Sequence, residues 1–151
     1  MEKTFVILKP DAVKRNLIGK ITSRFEEKGL RLLAMKLCNL TPEILKEHYS
    51  HIADKPFFPG TVKFMTSAPV VIQCWQGLDA VQVVRDMCGV TNARKALPGT
   101  IRGDMAMSIG CNLVHSSENI EIAGQEVARF FQESDFCVYQ DTPAVYSEDE
   151  K

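Results

Sequence analysis

Apolar positions along the chain alternate between two periods, and that alternation predicts the fold class. Thr4-Phe-Val-Ile-Leu8 is a continuous apolar run of strand length, which Pro10 stops because it cannot donate to a ladder. Leu17, Ile18, Ile21 and Phe25 follow helical spacing, and Gly29 is suited to end that helix. Leu30–Asn39 reads as a strand. Thr41-Pro42 opens a helix with a capping hydroxyl and a proline at the first helical position. Lys55–Gly60 is a break, followed by a short helix over Thr61–Thr66. Pro69–Trp75 is a third strand, and Asp79 is the expected cap of a helix reaching Met87. Gly89–Gly103 carries little hydrophobic period and reads as a long loop, of a length that usually serves function. Met105–Val114 predicts a fourth strand closed by His115, with Ser116 or Ser117 as cap of a last helix whose apolar face is Ile122, Val127, Phe130 and Phe131.

The resulting order, strand-helix repeated four times, suits an α+β ferredoxin-like sandwich: a four-stranded antiparallel sheet with helices on a face, built from split β-α-β units. A doubly wound parallel sheet competes with it, and periodicity alone does not separate the two. The 151 residues fit one domain, residues 1–151, ending in a short acidic tail from about residue 147.

Composition narrows the function. The chain is 45% hydrophobic and 25% charged, with formal net charge −1, so no basic field advertises nucleic acid or an anionic membrane. No apolar run reaches the length of a membrane span, and the apolar stretch near Met1 is too short for a signal peptide. Five scattered cysteines without a C-x-x-C pair read as reduced, mostly buried thiols of a cytoplasmic protein.

The candidate chemistry lies around Pro98-Gly-Thr-Ile-Arg-Gly-Asp104 and Asn112-Leu-Val-His115. A histidine at a strand end, beside a helix N-terminus and near Arg102, reads as a nucleophile or base next to an anion site. Taken alone, a packed or capping histidine is the commoner outcome. No P-loop, dinucleotide fingerprint or protein-kinase motif set is present, so a phosphate site would draw on isolated cations: Lys9, Arg85 and Arg102. Each taken singly is ordinarily a surface charge, although Lys9 follows four apolar residues and precedes proline. Phe57 and Phe58 sit in a proline-bounded loop, available for stacking on a base or for core packing. His48 and His51, spaced i, i+3, are placed on a solvated helix face rather than at a metal.

Taken together, Thr4-Phe-Val-Ile-Leu-Lys-Pro-Asp11, Lys46-Glu-His-Tyr49, Lys55-Pro-Phe-Phe58, Pro98–Asp104 and Asn112-x-x-His115 resemble nucleoside diphosphate kinases over nearly the whole chain. The resemblance implies a ping-pong transfer of a γ-phosphoryl group from a nucleoside triphosphate, usually ATP, through phosphohistidine at His115 to a nucleoside diphosphate. It implies that Glu126 accepts from the imidazole nitrogen remote from phosphate. Arg102, Arg85 and Thr91 match phosphate contacts, while Lys9 and Asn112 match contacts to the sugar hydroxyls. Lys9 also lies near the transferred group, with Tyr49 beside it, and Phe57 stacks on the base. It further implies Mg²⁺ carried in with the nucleotide rather than held by protein ligands, and a homo-oligomer, a hexamer in preference to a tetramer.

The sequence departs from the family pattern at several positions. His115-Ser-Ser-Glu118 stands where His-Gly-Ser-Asp is usual, and Ser116 in place of glycine carries an expectation of backbone strain. Cys111 stands where arginine is common, Thr61 where an apolar residue borders the base, and Ala12 where glycine is frequent. Two other classes compete. An RNA-binding sandwich would show paired aromatics on its central strands, and Leu30–Asn39 and Met105–Val114 contain none. A protein-histidine kinase would be told apart by which acceptor discharges the phosphoenzyme faster.

Overall fold

A computed structural model describes residues 1–139 and 145–150. Four strands, β1 (Glu2–Leu8), β2 (Arg31–Cys38), β3 (Val70–Gly77) and β4 (Val114–Ser116), form one sheet in the order β2-β3-β1-β4. Every pairing is antiparallel, with Ile7 opposite both Ile72 and His115. This is the split β-α-β arrangement of the ferredoxin-like sandwich, and the doubly wound alternative falls away.

Helices cover both faces of the sheet, where one was expected. Side chains alternate along β1, so Val6 and Leu8 join Val71, Trp75 and Phe25 in one core, while Phe5 and Ile7 join Ile72, Cys74, Leu45 and Phe131 in another. The first core is roofed by α2 (Ile18–Glu27) and α5 (Ala80–Cys88); the second by α3 (Pro42–His48), α4 (Phe58–Met65) and α7 (Ile120–Phe130). With both faces covered, β1 reads as an unbroken apolar run rather than an alternating one.

Several local expectations are corrected. Pro10 does not merely end a strand: it is the first residue of a helix, α1 (Pro10–Lys14), that the apolar pattern does not show. Helix α4 starts at Phe58, within the expected break. Asp79 has φ 48° and makes no cap; the first turn of α5 is instead met by Glu2, whose carboxylate accepts from the Val81 N–H at 3.2 Å. The long loop is partly ordered into a turn of 3-10 helix at Ala93–Lys95 and into α6 (Ile101–Met105), capped by the Thr100 hydroxyl. A side chain at Gly103 would overlap the Leu97 carbonyl, which fixes glycine at that position.

The expected fourth strand, Met105–Val114, does not form over most of its length. Met105 ends α6, residues 106–113 are irregular, and β4 has only three residues. Met107 and Ile109 are exposed, so the apolar run does not reflect burial. The cysteines are likewise less buried than expected: Cys74 and Cys88 are buried, Cys38 is half-buried, and Cys111 and Cys137 are exposed, all as free thiols. Of the acidic tail, Ser147 engages Glu150 and Lys151 lies outside the described residues. Just before that tail, the Tyr146 hydroxyl accepts from the Leu78 N–H, tying the segment to the end of β3.

Candidate active site

His115 does not close its strand. It is the middle residue of β4, paired with Ile7 on the central strand, and this pairing fixes its backbone. Neither Ser116 nor Ser117 caps α7. Asn119 does so, its side-chain oxygen accepting from the Ile122 N–H at 2.9 Å. Ser117 is fully buried and continues the β1 ladder, its hydroxyl accepting from the Phe5 N–H at 3.1 Å. The strain expected at Ser116 is also absent: it sits in β4 opposite Val6, and its hydroxyl bonds the buried Cys88 thiol. The left-handed residue here is Leu113, φ 73°, two positions before His115.

Helix α7 packs on β1 and brings Glu126 under the imidazole. His115 Nε2 lies 2.5 Å from Glu126 Oε2, and the carboxylate is 2% exposed. A proton on Nε2 directed at this carboxylate leaves the Nδ1 lone pair free. Both groups border a cleft of about 760 Å³ that Lys9, Tyr49, Arg85, Thr91, Arg102 and Asn112 also wall. Eight of the nine expected site residues therefore meet in one cavity. Phe57 is the exception: it stands just before α4, 58% exposed and outside the cleft wall. Exposure removes the core-packing reading of this ring.

The cations are held in different ways. Lys9 Nζ donates to Asn112 Oδ1 at 2.7 Å, and the Asn112 amide donates to the Thr91 carbonyl at 3.0 Å, linking three expected ligands in one chain. Burial, and after it the Arg102 charge, lowers the Lys9 ammonium to about 8. Arg102 is buried and donates to the carbonyls of Gly89, Asn112 and Val114 at 2.6, 3.2 and 2.6 Å, so it also braces the cleft wall. Arg85 is half-buried, donating to the Ser117 carbonyl at 3.4 Å.

Contrary to the solvated face expected of it, His48 is buried against His115, with ring centroids 4.7 Å apart. Burial, then His115 and Arg129, pushes it down to about 2, so it stays neutral. Its Nδ1 lies 3.3 Å from Arg129 Nη1 and 3.4 Å from Glu126 Oε2. The signal was present in the sequence: Leu45, His48 and Tyr49 share one helical face, and Leu45 is an evident core residue. His51, its supposed companion, is exposed. Tyr49 is half-buried, and burial with Glu126 nearby raises its phenol, keeping it protonated. Among the departures, Cys111 is exposed and outside the cleft wall, Thr61 lies on α4, and Ala12 is buried in the core.

Comparison with known proteins places this geometry. The family model for nucleoside diphosphate kinase matches residues 2–136. A nucleoside diphosphate kinase of Parabacteroides distasonis is 51% identical, over 99% of both chains. Nucleoside diphosphate kinase A of Canis lupus familiaris is 47% identical, over 92% of this chain and 91% of its own. A halophilic nucleoside diphosphate kinase from Halobacterium salinarum, solved in complex with CDP, superposes with a TM-score of 0.92 at 44% identity, covering 97% of this chain and 99% of the other. A histidine-carboxylate pair at the floor of a cationic cleft, on this sheet and with these relatives, has one reading: the chain belongs to the nucleoside diphosphate kinase family.

Proposed function

We propose that the protein is a nucleoside-diphosphate kinase that forms phosphohistidine at His115. The observation that carries this reading is the His115–Glu126 pair at 2.5 Å on the floor of the cationic cleft. In the first half-reaction the Nδ1 lone pair attacks the γ-phosphorus of a nucleoside triphosphate, in line with the bond to the bridging oxygen. That bond breaks, and the electron pair leaves with the nucleoside diphosphate. In the second, a β-phosphate oxygen of another nucleoside diphosphate attacks phosphorus, the N–P bond breaks, and the lone pair returns to Nδ1. Glu126 fixes the tautomer and stabilises the positive charge that develops on the ring.

Lys9, Arg85 and Arg102 supply charge to the phosphate oxygens, where an enclosed site gives them more effect than in water. Thr91 adds a hydroxyl beside them, Asn112 and Lys9 meet the sugar hydroxyls, and Tyr49 borders the transferred group. The exposed ring of Phe57 stacks on the base, and stacking without base-edge contacts admits every base. Mg²⁺ fits as the nucleotide's own ion, held by its phosphates and water. The imidazole-rich donor set of the cleft suits a hard cation poorly. When bound, the ion neutralises charge on the β- and γ-oxygens.

The same reading extends to the whole chain, 1–151, as one such domain in the cytoplasm. Among the described residues no helix is long and apolar enough to cross a membrane. A hexamer is favoured over a tetramer. Supporting assembly, the edge strand β2 exposes Met35 and Leu37, and Leu97, Met107 and Ile109 expose further apolar area.

The test uses γ-labelled ATP on purified protein and on His115→Ala. Expected is an acid-labile, base-stable label, discharged by nucleoside diphosphates and absent from the variant. A folded, nucleotide-binding protein that takes no label would defeat the reading.

A further inference from the structure

We infer that His48, His115 and Glu126 form a binding site for a borderline-soft divalent cation, Zn²⁺ above all, whose occupancy switches the nucleophile off. Their donor atoms lie within 4.8 Å of one another, at the floor of a cleft open to solvent. Two imidazoles and a carboxylate, with a fourth position facing the cleft, form a donor set suited to Zn²⁺ and unsuited to Mg²⁺.

Burial fixes two of the three donors, Glu126 being 2% and His48 7% exposed. Glu126 Oε1, the second oxygen of the ligating carboxylate, is buried without a hydrogen-bond partner and available to the same cation, a state in which buried polar atoms are rarely left. Tetrahedral ligands at ordinary zinc distances stand about 3.3 Å apart. His48 Nδ1 and Glu126 Oε2 are already 3.4 Å apart. His115 Nε2, at 2.5 Å from the same oxygen, has to draw back slightly into the cleft it borders. Arg129 Nη1, 3.3 Å from His48 Nδ1, is the cation the metal displaces.

The consequence for the reaction is chemical and rests on His115 as the nucleophile. A neutral imidazole has one N–H and one lone pair. When Nε2 gives its lone pair to the metal, the proton resides on Nδ1, and no lone pair remains there to attack phosphorus. Metal binding and phosphoryl uptake are then mutually exclusive at one ring. The protein requires one divalent ion on its nucleotide and is inhibited by another on its histidine.

The experiment titrates unphosphorylated protein, free of nucleotide and phosphate, with Zn²⁺ by calorimetry, and with Co²⁺ by visible absorption. Expected is one ion per chain and the intense visible band of tetrahedral cobalt on nitrogen and oxygen. His48→Gln and Glu126→Gln, checked for fold by circular dichroism, should each weaken binding beyond the roughly 10- to 100-fold typical of losing an outer-shell partner. Protein preloaded with one equivalent of Zn²⁺ should then lose labelling by Mg·ATP in proportion to occupancy and regain it with EDTA. Absence of saturable binding would overturn the proposal. So would affinity unchanged in both variants, or a thiolate-to-cobalt charge-transfer band placing the ion on Cys111 or Cys137. Because binding is read without nucleotide, its failure leaves phosphohistidine formation standing. Failure of metal-free protein to label would sink the nucleophile instead.

Discussion

Asp11 accepts a hydrogen bond at 3.1 Å from the backbone N–H of Leu113, the left-handed residue two positions before His115. The Leu113 carbonyl in turn accepts from the Lys9 N–H at 2.8 Å, so the start of α1 and the residue before it clamp this peptide from both sides. A leucine at positive φ persists only where its surroundings over-determine it. Here the clamp, together with complete burial of the side chain, does so, and it starts β4 at the point that aims His115 at Glu126.

Removing the acceptor should therefore reach the nucleophile without touching it. Asp11→Ala leaves a buried N–H unpaired, at a cost of about 1–3 kcal/mol, and frees Leu113 to relax toward ordinary φ. Expected are a lower unfolding midpoint and a fall in kcat of about tenfold or more, with nucleotide affinity nearly unchanged. Asp11→Asn keeps an acceptor oxygen and should recover most of the loss. Stopped-flow labelling with denaturant melts checks both, and equal defects in the two variants would contradict the clamp.

Glu126 is predicted to act on the phosphorylation step rather than on binding. Glu126→Ala removes the group that selects the Nε2–H tautomer, so the His115 lone pair is no longer reserved at Nδ1. The single-turnover labelling rate should fall by about a hundredfold or more, while nucleotide dissociation constants change little. Loss of binding in step with rate would show that the carboxylate mainly supports the fold.

The parts of this architecture that were legible in the sequence are those in which apolar character and burial coincide. β1 and β3 are buried along nearly their whole length and read directly as strands. The Met105–Val114 segment is equally apolar but points Met107 and Ile109 outward, and composition does not distinguish a side chain in a core from one on a surface. Helix α1 is not legible because Pro10 both ends a ladder and begins a helix. At the site, the family resemblance points to eight residues that meet in one cleft. His48 and Asp11 stand inside its motifs without a legible role, because the partner of His48 lies 67 positions further along the chain and Asp11 makes a long-range bond to a backbone that shows no outlier in sequence.

Phe57 is predicted to contribute binding without discrimination. Phe57→Ala removes an exposed ring and should leave stability nearly unchanged, since surface substitutions away from packing cost little. A lost base-stacking contact of about 1–3 kcal/mol should raise KM by about fivefold or more for purine and pyrimidine nucleotides alike. Steady-state kinetics across the nucleoside diphosphates provides the check. A defect confined to one base would mean that the ring reads base identity, contrary to the stacking role.

Lys9 gives stability and activity opposite slopes with alkaline pH. Burial and Arg102 lower its ammonium to about 8 in the folded protein, against 10.5 for an ordinary lysine. Between those values the unfolded chain binds more protons than the folded one, so folding stability rises with pH across this window. Below about pH 8 both states are protonated, and the full cost of the buried charge is present. Activity runs the other way, because the charge that meets the phosphates is lost as pH passes through the folded value, and kcat/KM should fall from about pH 8 upward. Lys9→Gln should flatten the rise in stability over this range and lower kcat/KM throughout. Lys9→Arg keeps its charge and should carry whatever activity it retains past pH 9 without the decline. Urea melts and kinetics at matched pH values read both slopes. If stability and activity fell together in the wild type, a group other than Lys9 would be governing the alkaline limb.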